Sequence, residues 1–133
     1  MVRLILAGIA LLLAQPARAD EDCSGQATQL EMHACASRNF DAADAALNAA
    51  YREIVSRLGG DEATRVLLRD AQRAWVTFRD AECRFSTSGV AGGSIHPLIY
   101  ATCLADVTAA RTAILRGYLD CREGDLACPV PPR

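Results

Sequence analysis

Apolar residues recur at three-and-four spacing, the period of an amphipathic helix, in three separate stretches of this chain. In the first, Ala36, Phe40, Ala43, Leu47, Ala50, Ile54 and Leu58 hold one stripe up to a Gly59-Gly60 stop. Thr28-Gln29-Leu30-Glu31 ahead of it fits a capping box, with Thr28 as N-cap and Glu31 reaching back to its amide. This pattern predicts a helix of roughly 30 residues, about 45 Å long. Ser37 to Asp41 is where so long a helix would kink or break.

The second stretch carries Leu67, Ala71, Ala74, Phe78 and Phe85, widened by Leu68 and Trp75. Asp61 or Thr64 caps it, and its breadth reads as the core helix around which the chain is organised. Only two or three residues separate it from the first helix, which forces an antiparallel hairpin. Between Ser86 and Pro97 no period survives; Gly, Ser and Pro dominate, and the segment reads as the one sizeable loop. The third stretch then sets Leu98, Ala101, Leu104, Thr108, Arg111, Leu115 and Tyr118 on one face as far as Leu119. Together these predict an all-α fold, an antiparallel three-helix bundle made of a long hairpin plus a third helix.

The N-terminus does not join this pattern. Arg3, the apolar run Leu4 to Ala14 and the small-x-small triplet Ala17-Arg18-Ala19 read as a signal peptide over residues 1–19, too short to span a bilayer. No Cys sits at the cleavage point, so the expectation is a soluble periplasmic or secreted chain with no membrane span after cleavage. Residues 20–133 then form one helical domain with a C-terminal tail. Arg3 and Arg18 leave with the signal, so 12 basic residues face 16 acidic ones, a net charge of −4. That balance disfavours nucleic acid and anionic membranes and favours a basic partner.

All six Cys lie in the expected mature chain, and an even number in an exported protein of this size reads as a disulfide framework. Helices running up, down and up put Cys23, Cys35, Cys83 and Cys103 at one end and Cys121 and Cys128 at the other. Cys83 to Cys103 is the natural clasp across the loop, worth about 3 kcal/mol on chain entropy, and Cys121 to Cys128 would tether the tail. Cys23 to Cys35 follows by elimination, with exchange among the four Cys at that end left open.

With these elements in place, Cys35-Ala36, the run from Ala46 to Tyr51, Leu68 through Trp75, Phe78-Arg79-Asp80, Gly92-Gly93-Ser94 and Thr108 with Arg111 resemble the LprI-like family of secreted bacterial lysozyme inhibitors. The resemblance runs from Cys23 to about Leu115 and leaves the Cys121 to Cys128 tail outside it. It implies a protein that binds a lysozyme-type muramidase.

The polar members of that pattern are Asp44, Asn48, Gln72, Arg73, Arg79, Asp80 and Arg111. Their bland reading is cross-helix pairing, with Arg79 or Arg111 meeting Asp44 or Asp80; the functional one is a groove for a ligand carboxylate. Trp75 and Tyr51 abut the stripes and read as core aromatics. His33 and His96 lack the third ligand zinc requires, and oxidised Cys are inert, so no metal, cofactor or enzymatic activity is expected. The sharper functional candidate is the loop: Ser88, Gly92, Gly93, Ser94 and His96 would contact the partner, and bulky residues at Gly92 and Gly93 would abolish contact at little cost in stability. A periplasmic interaction or envelope-stress module, binding another envelope protein or a small ligand without lysozyme inhibition, is the alternative.

Overall fold

A computed structural model of the chain describes residues 21–132; residues 1–20 and 133, with the expected signal peptide, lie outside the described residues. Three long helices dominate. Helix α1 spans Gln29–Leu58 without a break, so Ser37 to Asp41 continue the helix. Its capping box is complete: the Glu31 amide donates to Thr28 Oγ1 at 3.2 Å, and the Thr28 amide donates to the Glu31 carboxylate at 2.9 Å. Gly59, at φ +54°, ends it in a backbone conformation that side-chain-bearing residues rarely adopt. Helix α2, Glu62–Ser86, follows at once with Asp61 as N-cap. Helix α3, His96–Leu119, starts two residues before the stripe beginning at Leu98, because Pro97 suits a first helical turn.

Helices α1 and α3 run in the same direction and share most of the interhelical contact, while α2 runs against both and touches them far less. At one end Gln29 Nε2 donates to Ser94 Oγ at 3.3 Å; at the other Arg57 Nη1 donates to the Leu119 carbonyl at 2.8 Å. Both stripes read from the sequence in these two helices face inward. Leu47, Ala50, Ile54 and Leu58 meet Leu115 in the core, and Tyr51, Leu68, Trp75, Tyr118 and Leu119 pack around it. Val130 from the tail completes the cluster at 2% exposure, a contribution that one Val among three prolines did not signal.

Helix α2 departs from the expectation of a core helix. Of its residues only Cys83 is buried, while Leu67 is 70% exposed, Phe78 56% and Phe85 77%. The cause is rotation about the helix axis. At about 100° per residue, Leu68, Gln72, Trp75, Arg79 and Cys83 lie about 60° to 160° around the axis from the Leu67-Phe78-Phe85 line, and they form the edge turned to the bundle. Trp75 packs against the core cluster and Cys83 is bonded to α3, which fixes that rotation.

The disulfides are Cys23–Cys35, Cys83–Cys103 and Cys121–Cys128, with Cα separations of 5.6, 5.7 and 5.8 Å that suit the bond. Helix α3 is, by length and composition, apolar enough to cross a membrane. Its Leu104, Ala105 and Leu115, with Thr108 and Thr112, are buried, so part of that hydropathy serves the core.

Candidate functional site

The loop between α2 and α3 folds as successive turns. Amides of Val90, Ala91, Gly93 and His96 donate in series to the carbonyls of Thr87, Ser88, Val90 and Gly93. Buried Thr87 anchors its base, donating from Oγ1 to the Cys83 carbonyl at 2.7 Å. The single hydroxyl proton is thereby committed, so His96 Nε2, 3.2 Å from the same oxygen, is the N–H donor of the tautomer present. His96 also stacks on Tyr100 with ring centroids 5.7 Å apart.

The five expected contact residues thus gather in one loop, in two roles. Ser88, Gly92 and Gly93 are exposed at its surface. Ser94 is exposed as well but accepts from Gln29, and half-buried His96 is held by Thr87 and Tyr100, so these two tie the loop to its neighbours. Gly92 has φ +79°, and a Cβ on Gly93 would come within 3.1 Å of the Val90 carbonyl oxygen. Bulky residues at these two positions would therefore distort the loop as well as block contact. Gly89, open on all sides, is the position where they would not.

The polar residues pair both within and across helices. The Arg79 guanidinium donates to Asp80 at 2.8 Å, reaches Asp44 of α1 at 4.0 Å, and lies over the rings of Phe40 and Trp75 at 5.4 and 5.3 Å. Asn48 donates to Asp44 at 2.8 Å, and Arg111 of α3 donates to Gln72 of α2 at 3.2 Å. This arrangement clips α2 to α1 and α3. Arg73 does not join it; the side chain is exposed.

Two clefts went unread in the sequence. One, of about 280 Å³, is apolar and runs between Ile54 and Leu58 of α1, Leu67 and Leu68 of α2, Tyr118 and the tail residue Val130. The other, of about 430 Å³, opens at the loop end between Asp22, Ser24, Asn39, Leu98 and Thr102. Neither had a sequence signal, because each is assembled from segments far apart in the chain. Among the described residues no three His, Cys, Asp or Glu stand close enough to hold a metal ion.

A family model described as lysozyme inhibitor LprI matches residues 19–115, stopping before the tail. Among curated proteins, an uncharacterised protein of Rhizobium meliloti (strain 1021) is 34% identical, with 81% of this chain and 88% of the relative covered. No solved structure matches.

Proposed function

The chain belongs to the LprI family of lysozyme inhibitors, and on that premise we propose that it inhibits a lysozyme-type muramidase by direct protein-protein contact outside the cytoplasm. Its three disulfides suit an oxidising compartment. The protein acts by binding, without catalysis of its own. Contact is made through the exposed face of the loop, Ser88 to Gly93, with Ser94 and His96 holding it in shape.

The observation that carries this reading is preorganisation. The Cys83–Cys103 bond, the Thr87 to His96 contact and the Gln29 to Ser94 hydrogen bond clamp both ends of the loop before any partner arrives, which lowers the ordering cost of binding. Glu21, Asp22 and Glu31 lie at the same end of the bundle and offer acidic flanks to a basic enzyme.

Titration of the oxidised protein against several lysozyme types, following lytic rate and direct binding, tests the proposal. Stoichiometric inhibition of one type is expected, and Gly89→Trp should abolish it without changing thermal stability. Absence of both binding and inhibition overturns the reading, and full inhibition by Gly89→Trp removes the loop from it. A second reading, a periplasmic interaction or envelope-stress module for another envelope protein or small ligand, is favoured by the 280 Å³ apolar cleft.

A further inference from the structure

The stripe of α2 that the bundle leaves uncovered has a regular repeat. Leu67, Ala74 and Ala81 stand seven residues apart, as do Ala71, Phe78 and Phe85, and all six are exposed. These are the alternating core positions of a coiled-coil heptad. We propose that this stripe is covered by the same stripe of a second copy of the chain, the two α2 helices lying antiparallel about a twofold axis near Val76 and Thr77.

Two features of the stripe select this occupant and this orientation. Antiparallel pairing sets each Phe78 against Ala74 of the second copy and each Ala71 against Ala81, while Leu67 meets Phe85 at both ends. Large side chains thus face small ones at the centre, where the helices come closest. Along one flank of the stripe run Asp70, Thr77 and Arg84, again seven apart. The same pairing brings Asp70 of each copy to Arg84 of the other, giving two complementary charge pairs, with Thr77 facing Thr77 on the axis. Asp70 has 60% of its side chain exposed and now leans on its neighbour Arg69 at 3.5 Å, and Arg84 is exposed. A parallel pair would instead stack Phe78 on Phe78 and leave both charges facing no opposite charge. Self-complementarity of this kind is what a twofold interface requires.

Sedimentation equilibrium of the purified oxidised protein over a wide concentration range tests the proposal independently of lysozyme. A reversible dimer is expected. Phe78→Asp should weaken association at least about tenfold with unchanged helicity, since Phe78 lies outside the core. Asp70→Arg and Arg84→Asp should each weaken it, and the double exchange should restore it. Thr77→Cys should form a covalent dimer under mild oxidation while Phe78→Cys does not, a pattern that only the antiparallel register produces. A chain that stays monomeric at every concentration overturns the proposal, as does a dimer indifferent to Phe78→Asp or one that Phe78→Cys cross-links instead.

Discussion

Helix α1 buries Ile54 at 1% exposure and Leu47 at 2%, whereas the equally apolar Leu67 and Phe78 of α2 stand 70% and 56% exposed. Both helices carry unbroken stripes, and only one stripe reaches the core. The difference lies in what faces them. Small residues, Ala36 and Ala50 on α1 and Ala105 on α3, let those two helices approach closely and share their apolar surface. Helix α2 is attached along one edge by Trp75, by the Arg79 ion pair to Asp44, by the hydrogen bond that Gln72 accepts from Arg111 and by one disulfide. Amphipathic spacing therefore specifies that a helix has an apolar face; it does not specify which surface covers that face.

This contrast should appear first in denaturation. Ile54→Ala or Leu115→Ala should cost about 2 to 5 kcal/mol, the range for emptying a packed aliphatic site, while Leu67→Ala should stay within about 0.5 kcal/mol for the monomer. Equal losses at Ile54 and Leu67 would erase the distinction. Next in size is the clasp: replacing Cys83 and Cys103 together by Ser should cost about 3 kcal/mol. Because α2 has few other contacts, its amides should also lose hydrogen-exchange protection well before those of α1 and α3. Uniform loss over the three helices would mean that α2 is as firmly packed as its neighbours. Trp75→Ala comes third. Half-buried against the core, it should cost about 2 kcal/mol, below the 3 to 5 kcal/mol of a fully buried aromatic, and Arg79→Lys, which loses the planar stack between two rings, about 1 kcal/mol.

The same contrast marks what was legible in the sequence. The α1 and α3 stripes could be read because spacing alone orients residues that a neighbour on the same chain then buries; even Thr108 and Arg111 fall on the inner face as expected. Helix direction and loop length pointed to Cys83–Cys103 and Cys121–Cys128, while Cys23–Cys35 came only by elimination, with exchange among four Cys open until the structure paired them. The rotation of α2 was not legible, since its stripe is broad enough for the bundle to take either edge, and the choice rests on where Trp75, Arg79 and Cys83 find partners. Of the candidate contact residues, the exposure of Ser88, Gly92 and Gly93 follows from composition. The ties of Ser94 and His96 to other side chains do not, because Gln29 and Thr87 become their neighbours only once the chain has folded.

The smallest effect concerns how α2 begins. Its first turn is held by a carboxylate: the Thr64 amide donates to Asp61 Oδ1 at 3.1 Å, where the corresponding amide of α1, that of Glu31, donates to the Thr28 hydroxyl. Hydrogen bonds from the Thr64 side chain and then its amide lower the Asp61 pKa below the ordinary 3.8. A depressed carboxylate pKa stabilises the folded chain at pH above that ordinary value, and the contribution is lost as pH falls through the folded-state pKa. Acidification below about pH 4 should therefore shift the Thr64 amide resonance in step with the Asp61 carboxylate, and loosen the first turn of α2. Asp61→Asn keeps a capping oxygen without a titrating group, so in that variant the Thr64 resonance should stay flat over the same range. A Thr64 shift of equal size in the variant would mean that another acid, and not the cap of the loosely held helix, is responding.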